Sequence, residues 1–381
     1  MTAGVTPRFS AFDRLRGLIM VLMAIDHASF FIARVHAAET WAAPGEYGSL
    51  IAFVTRWVTH LCAPGFFMLM GAGMVWLAEA RRRDGWTPAR IRRFFITRGL
   101  VLLVIQHFIE NPAWIVGLVS VGPGVTVEPP SVGGSMEGVF LVFAVISALG
   151  FSMIFWGIVG RLPSLAIAAI TIAAFVAGWW LTPPPSEAPV VFSIPMRLFF
   201  IMGTTSPVAV AYPWVPWLVP AGLGILLGRA VLTNSDRTQS RLPWVGLAAL
   251  VVFVVLRASG LGDYHQPGPG FIGFLNLTKY PPSLDFLLAT LGVDLILIAV
   301  LARVSSPAIN TPLEVFGRSP LFFYLLHLYV FGALSWLFRN GTSWGVMYAV
   351  WAAAIVAMYP ACRWYAGFKA RKPVDSIWRL L

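Results

Sequence analysis

Arg16 and His27 lie eleven residues apart on one apolar segment near the start of the chain. Eleven residues make about three turns of an α-helix, so both side chains project from one face, about 16 Å apart along its axis. The residues from Leu18 to Ile25 between them are all apolar, which is typical of a segment that crosses a membrane. Ionisable groups inside such a segment are costly and mark functional sites. The pattern predicts a cation near one end of the span and a proton-transfer group deep inside it.

The composition is that of a polytopic membrane protein. Hydrophobic residues make up 58% of the 381 residues and charged residues 11%, with a mean hydropathy of +0.78. A soluble domain carries about 25% charged residues, so lipid must face much of this chain. The net charge of +11 does not predict nucleic-acid binding, because most Lys and Arg residues lie in alternate loops. The two cysteines, Cys62 and Cys362, predict no disulfide framework, and we expect no cleavable signal.

The hydropathy pattern predicts an all-α bundle of about ten membrane spans, with a short helix over 189–203 as a candidate eleventh. About 20 apolar residues cross the hydrocarbon core of a bilayer. Segments of near this length cover 15–33, 52–78, 94–111, 137–160, 163–182, 213–232, 243–259, 284–303, 315–338 and 344–363. We interpret residues 1–381 as a single integral membrane domain.

The distribution of basic residues predicts the orientation of these spans. With the N-terminus in the cytoplasm, 20 of the 27 Lys and Arg residues fall in cytoplasmic segments and four fall in outer loops. Because cytoplasmic loops are enriched in basic residues, the asymmetry predicts that both termini are cytoplasmic. The outer loops over 112–136, 183–212 and 260–283 are long and rich in Pro and Gly, and such loops frequently build binding sites.

Further ionisable residues lie within or beside the predicted spans. Five of the six histidines lie in spans or in the short first outer loop, and no hydrophobic requirement explains that placement. The candidates for a site are Asp26, His36, Arg56, His60, His107, Glu110, Lys279, Tyr280, Asp294 and His327. A histidine inside a helix bundle is also a common structural hydrogen-bond partner, and that interpretation stays open for several of them. No HxxxH or HExxH spacing occurs, so we expect no metal.

The Arg-rich stretch over 81–98 has two interpretations. As a whole it is typical of a topology determinant that contacts lipid headgroups. Its last members, Arg92, Arg93 and Arg98, lie close enough to the third span to hold a phosphate.

Four segments resemble one known family. Their sequences are RLRGLIMVLMAIDH over 14–27, TRWVTHLCAP over 55–64, KYPPSL over 279–284 and FGRSPLFFYLLH over 316–327. In this order they resemble the bacterial proteins related to heparan-alpha-glucosaminide N-acetyltransferase, within the transmembrane acyltransferase superfamily. The resemblance implies an enzyme of the bacterial inner membrane that takes an acetyl group from cytoplasmic acetyl-CoA. It also implies delivery of that group to a sugar or glycan acceptor on the outer side.

The resemblance implies that Arg16 and His27 matter, and the chemistry of acyl transfer predicts roles for these and other residues. We expect His27 to act as general base and Asp26 or another carboxylate to orient it, because a neutral imidazole can take a proton from a hydroxyl or an amine. In the lysosomal enzymes of the family the catalytic histidine lies in the loop after the first span, so His36 is the second candidate. Arg16, with Arg92, Arg93, Arg98 or Arg318, is expected to hold the phosphates of acetyl-CoA. The acceptor pocket is expected to contain Arg56, His60, His107, Glu110, Lys279, Tyr280 and His327.

Other interpretations of the same residues stay open. A transporter or flippase would use Asp26, His27, His327 and Asp294 as a proton relay, and a non-catalytic membrane scaffold would need none of them. Within the acyltransferase interpretation, an acyl-histidine intermediate competes with direct transfer. The acceptor, the acyl chain length and the formation of a homodimer are equally open.

Overall fold

The computed structural model describes residues 9–36, 39–125, 137–183, 191–373, 376 and 378, and nearly all of this part is helical. Its helices, α1 to α15 in chain order, are Ser10–Ala28, Leu50–His60, Cys62–Arg83, Pro88–Ile105, Asn111–Val119, Val145–Val159, Ser164–Leu181, Ile194–Phe199, Leu218–Thr233, Ser235–Ala258, Gly270–Leu275, Leu284–Arg303, Pro307–Arg318, Pro320–Leu334 and Trp344–Arg371. Two π-helical turns, Ser29–Ala33 and Gln106–Glu110, continue α1 and α4, and a 3₁₀ turn, Ser335–Leu337, continues α14.

Eight continuous helical stretches among the described residues are long and apolar enough to cross a membrane. They are Ser10–Ala33, Leu50–Arg83, Pro88–Val119, Ser164–Leu181, Ser235–Ala258, Leu284–Arg303, Pro320–Leu337 and Trp344–Arg371. Helices α6 and α9 are apolar but have only 15 and 16 residues, and they lie within the predicted fourth and sixth spans. The polytopic helical class is therefore confirmed. The number of ten spans and the orientation of the termini stay predictions.

A small β-sheet lies in the loops, where only helices and coil were predicted. Strand β3 (Val208–Val210) pairs in parallel with β1 (Leu141–Phe143) and antiparallel with β2 (Gly203–Thr205). Strands of three residues are too short to show a two-residue alternation, so no periodicity in the sequence predicts them. The short helix expected over 189–203 is present as the six-residue helix α8, which is too short to cross the membrane as an eleventh span.

Helix α1 is the central helix of the bundle. It contacts α2, α3, α12, α13, α14 and α15. In its most apolar 18-residue window 67% of the residues are buried, against 22% in the windows of α7, α10 and α15. The three latter helices therefore present most of their surface to lipid, whereas α1 faces protein. This burial explains how α1 can carry ionisable residues inside a membrane.

Glycines allow the helices to approach closely. Gly17 of α1 lies against the backbone of Leu313 in α13, and Gly317 lies against the backbone of Asp13, so the two helices run antiparallel. Gly71 of α3 similarly faces the carbonyl oxygen of Ala221 in α9. Because lipid supplies no hydrophobic drive for helix association, close backbone packing through small residues holds such pairs together.

The contact of Gly71 predicts a difference between two neighbouring glycines. A methyl group at Gly71 would collide with the Ala221 carbonyl, whereas a methyl group at Gly73 would meet no atom within 4 Å. We expect Gly71→Ala to destabilise the protein by about 1–3 kcal/mol through overpacking, and Gly73→Ala to leave stability unchanged or raised. Thermal unfolding midpoints in detergent test this expectation, and equal midpoints for the two variants would contradict the close α3–α9 contact.

Candidate functional site

The end of α1 is fixed by an arginine. Arg34 follows the π-helical turn with a left-handed backbone (φ 58°). Its guanidinium donates to the carbonyl oxygens of Gly117 and Ser335 at 3.2 and 3.3 Å and to the Ser120 hydroxyl at 2.6 Å. These groups lie at or just beyond the ends of α5 and α14, so Arg34 joins the end of α1 to the ends of two other helices. The residues of α1 just before this point, Asp26 and His27, are thereby held in a fixed place.

A buried arginine joins two carboxylates beside Asp26. Arg56 of α2 is 4% exposed, and its Nη1 donates to Asp26 Oδ1 at 2.6 Å. Its Nε and Nη2 both donate to the carboxylate of Glu39, Nε at 3.1 Å. His60, one helical turn after Arg56, bonds the same carboxylate through Nε2 at 2.7 Å. The predicted pair of Arg56 and His60 on one helix face is thus present, and both bind one acid.

Glu39 is the residue that sequence reasoning missed. It is 3% exposed and lies in the loop between α1 and α2. Burial alone would raise its pKa, but the positive charge of Arg56, together with the electrostatic interaction and hydrogen bond of His60, outweighs this and holds the pKa well below its usual value. Glu39 is therefore ionised at neutral pH. A single acid in a loop without helical periodicity carries no spacing signal that could have identified it.

Lys279 and Tyr280 lie near this cluster, as predicted. Both are buried, at 5% and 1% exposure, and Lys279 Nζ lies 5.0 Å from the centre of the Tyr280 ring and 5.7 Å from that of Tyr212. The Tyr280 carbonyl accepts from the backbone N–H of Ala42 at 2.6 Å, which ties the later loop to the first one. With Lys279 included, the cluster holds two basic residues, Arg56 and Lys279, and two acidic residues, Asp26 and Glu39.

A small cavity adjoins the cluster. Its volume is about 90 Å³, and it is lined by Asp26, Ser29, Val35, His36, Glu46, Tyr47, Gly48, Ala52, Thr55, Arg56 and Trp344. A cavity of this size has room for several water molecules or for a small polar group. Of the sequence-predicted residues, Asp26, His36 and Arg56 meet at this cavity.

His36 keeps both ring nitrogens free in the described part of the chain. Neither Nδ1 nor Nε2 makes a hydrogen bond there, and Nδ1 lies 3.8 Å from Asp26 Oδ1. Burial lowers the pKa of His36 to about 4, against the opposing effect of Asp26. The ring is therefore neutral at pH 7 and can accept a proton.

His27 is not among the residues that line the cavity, and it is bound to another histidine. Its Nδ1 lies 2.6 Å from His327 Nε2, and the two rings stack with centres 4.8 Å apart. Trp114 and Tyr324 place ring edges against His27, at 5.2 and 6.1 Å between centres. The expected contact between His27 and Asp26 is not formed among the described residues, because adjacent residues of a helix project in different directions. Asp26 Oδ1 instead accepts from Arg56 and Thr59.

The other predicted acceptor residues separate into two places. Glu110 lies close to the histidine pair and contacts the two residues that pack on His27. Its Oε1 accepts from the Tyr324 hydroxyl at 2.7 Å and from Trp114 Nε1 at 3.4 Å. His107 lies apart from both groups: its Nδ1 bonds the Leu103 carbonyl at 2.9 Å, and its ring packs on Phe143.

The predicted phosphate-binding arginines lie where α1 begins. Arg16 donates from Nη1 to Asp13 Oδ1 at 2.8 Å and to the Gly317 carbonyl at 3.1 Å. Arg318 pairs with Glu314 and lies 3.9 Å from Asp13 Oδ2. Arg98 lies in the electrostatic range of Arg16, and its buried Nε has no partner among the described residues.

The remaining members of the predicted sets stand alone. Arg92 and Arg93 are exposed on α4. Asp294 is fully buried on α12, and neither carboxyl oxygen has a hydrogen-bond partner in the described part of the chain. The described residues contain no group of three or more His, Cys, Asp or Glu side chains arranged for a metal.

A comparison with protein families relates this geometry to a known class. The family model described as heparan-alpha-glucosaminide N-acetyltransferase, catalytic, matches residues 8–259, about two thirds of the chain. The chain belongs to this family. The membership, together with the apolar helices, supports an acetyltransferase in a membrane. The matched region contains α1, His36, Glu39 and Arg56, whereas the blocks over 279–284 and 316–327 lie beyond it. No curated protein matches the chain.

The buried ion pairs of Arg56 predict that replacing Glu39 lowers the stability of the protein strongly and that replacing Glu46 changes it little. Glu39→Gln leaves the buried guanidinium with one carboxylate fewer, so we expect a loss of about 1–3 kcal/mol. Glu46 lies in the same loop and is exposed, so Glu46→Gln should change stability by less than about 0.5 kcal/mol. Thermal unfolding of both variants tests this, and a similar effect of the two changes would speak against the Arg56–Glu39 pair.

The neutral His36 predicts that stability falls in mild acid. Its folded pKa of about 4 lies below the ordinary value near 6.5, so the unfolded chain binds this proton more readily. Stability is therefore lost as the pH falls from about 6.5 toward 4, by at most about 1.4 kcal/mol per pH unit. Unfolding midpoints measured from pH 7.5 to 5 should fall more steeply for the wild type than for His36→Gln. Parallel curves would contradict a buried neutral His36.

Proposed function

We propose that this protein transfers an acetyl group from cytoplasmic acetyl-CoA to a hydroxyl or amine of a sugar or glycan on the outer side of a bacterial inner membrane. Family membership supports the acetyltransferase part of the proposal. The observation that carries the rest is the position of His27, a buried imidazole on the central helix. It directly follows Asp26, whose carboxylate lines a polar cavity. A donor from one side and an acceptor from the other would meet at such a place.

We assign the role of general base to His27. Its Nδ1 is bound to His327, while Nε2 makes no hydrogen bond with any described residue. A neutral imidazole nitrogen at this position would take the proton from the acceptor as its oxygen or nitrogen bonds to the acetyl carbon. His27 would then return the proton to the sulfur when the carbon–sulfur bond breaks. When bound, acetyl-CoA supplies the acetyl group already activated as a thioester.

His36 is the second candidate for the base, and a specific contact supports it. Its ring lines the cavity, and its Nδ1 faces Asp26 at 3.8 Å. Such contacts are often long before a substrate binds and tighten afterwards. In this assignment Asp26 orients His36 rather than His27.

The arginines differ in how well they suit the phosphates of acetyl-CoA. Arg98 fits, because its buried Nε has no partner in the described chain and it lies near a second cation, Arg16. An anion between two guanidinium groups would relieve their repulsion. Arg16 and Arg318 are already paired with Asp13 and Glu314, so they suit this role less well. Arg92 and Arg93, exposed on the same helix as Arg98, could contact phosphates further out.

The acceptor side of the proposal rests on the cavity and its aromatic lining. Tyr47 and Trp344 line the cavity beside Arg56 and Asp26, and aromatic faces with polar neighbours suit sugar rings. A hydroxyl or amine of the acceptor would enter this cavity while the rest of the glycan stays outside. Lys279 and Tyr280 do not line this cavity, and in the proposal they act on the acceptor through Arg56, which Tyr280 influences electrostatically.

The rival proton relay receives less support from the contacts. Asp294 makes no hydrogen bond among the described residues, and Asp26 is not bonded to His27. A relay through these four groups would need connections that the described residues do not supply. The proposal places both termini in the cytoplasm and treats membrane lipid as the surrounding partner, with a homodimer compatible with it.

CoA release by the purified protein tests the proposal. We expect the wild type to release CoA from acetyl-CoA faster when amino sugars or cell-wall glycans are present. His27→Ala should lower kcat by about 10²–10⁴-fold, the usual worth of a positioned base. His107→Ala is the matched control and should stay within about threefold of the wild type, because His107 contacts neither the cavity nor the histidine pair.

The outcomes separate the interpretations. Loss of activity in His36→Ala with His27→Ala active would move the base to the loop. An effect of Arg98→Ala on KM rather than kcat would support its phosphate contact. No binding or turnover of acetyl-CoA by folded protein would overturn the acyltransferase proposal and favour the transporter.

A further inference from the structure

The contact between His27 and His327 restricts where protons can lie. The two nitrogens are 2.6 Å apart, so one must donate and the other must accept. His327 also has a second fixed partner, because its Nδ1 lies 3.0 Å from the carbonyl oxygen of Phe323. A carbonyl only accepts, so Nδ1 of His327 carries a hydrogen.

Burial keeps His327 neutral. The ring is 0% exposed and packs against Phe323, Tyr324, Phe331 and His27. No carboxylate contacts it among the described residues, and a buried cation without a charged partner is very costly. A neutral ring with a hydrogen on Nδ1 has a lone pair on Nε2, so Nε2 of His327 is an acceptor.

The consequence for His27 follows directly. Its Nδ1 must donate to His327, so Nδ1 carries the hydrogen of the neutral ring and Nε2 carries a lone pair. The acids nearest to His27 do not change this, since Asp26 is bound by Arg56 and Thr59 and Glu110 is bound by Tyr324 and Trp114. The histidine 300 residues away therefore sets which nitrogen of His27 is free.

We propose that His327 is a positioning residue that holds His27 in the tautomer with a hydrogen on Nδ1 and thereby keeps Nε2 unprotonated as the base. This inference rests on the proposed function, in which Nε2 of His27 takes the acceptor proton. The backbone carbonyl of Phe323, which the helix holds in place, begins this series of hydrogen bonds. It orients His327, and His327 orients His27, in the same way that a second partner fixes the tautomer of catalytic histidines in general.

Two substitutions separate this role from simple packing. His327→Leu fills the space but cannot accept a hydrogen, so His27 is free to take the other tautomer. We expect kcat to fall by about 10²-fold or more with KM changed less than threefold, because the base is lost and the binding surfaces are not. His327→Gln can place its side-chain oxygen near the position of Nε2 and should restore kcat to within about tenfold of the wild type.

A matched control lies on the same helix. Tyr329 is 40% exposed, and its hydroxyl bonds the Ile109 carbonyl at 2.9 Å. Tyr329→Phe should keep the activity of the wild type. If His327→Leu is also as active as the wild type, the positioning role is wrong. If His327→Gln is no better than His327→Leu although both are folded, the role of His327 is packing alone and the inference is likewise overturned.

Nitrogen NMR gives a readout that does not depend on turnover. In protein labelled with ¹⁵N-histidine, the signals of His27 are those missing from His27→Gln. We expect a protonated Nδ1 and an unprotonated Nε2 in the wild type and in His327→Gln, and the reverse or a mixture in His327→Leu. Protonated Nε2 in the wild type would overturn the inference even if the enzyme is active. An inactive enzyme with the expected tautomers would reject the proposed function and leave the assignment of protons standing.

Discussion

The bidentate contact of Arg56 with Glu39, together with its bond to Asp26, holds the site together. A buried guanidinium is tolerated only when its charge is matched and its donors are satisfied. Here one carboxylate comes from the end of α1 and the other from the loop that follows. The contact therefore holds both the loop and the end of α1 in position against α2. His60 adds a further bond to Glu39, and the cavity takes its shape from these constraints.

The burial of α1 makes this chemistry compatible with a membrane. Charged groups are costly in lipid, but α1 is enclosed by six other helices, so its ionisable residues meet protein. At its beginning, Asp13 and Arg16 pair with each other and with α13. At its end, Asp26 and His27 meet α2 and α14. The close approach at Gly17 and Gly317 brings the first set of partners into range.

Other arginines organise loops rather than chemistry. Arg257 is 1% exposed and donates to the carbonyl oxygens of Phe274, His265 and Asn276. Arg34 serves the ends of α5 and α14 in the same way. Both satisfy backbone carbonyls that would otherwise lose hydrogen bonds away from water. From the sequence, Arg34 counted only as a charge in an outer loop and Arg257 only as a charge at the end of a span, whereas the structure gives both a structural role.

The sequence by itself determined the membrane class, the approximate positions of the long helices and the family. These follow from hydropathy and short motifs, which are local properties of the chain. It also determined that Arg56 and His60 share a face, because a spacing of four residues does so in any helix. The tertiary structure alone decided that His27 binds His327 and that Glu39 binds Arg56. Those pairs join residues that are 300 and 17 positions apart. The contacts depend on how helices pack and on competition among partners, which no local pattern records.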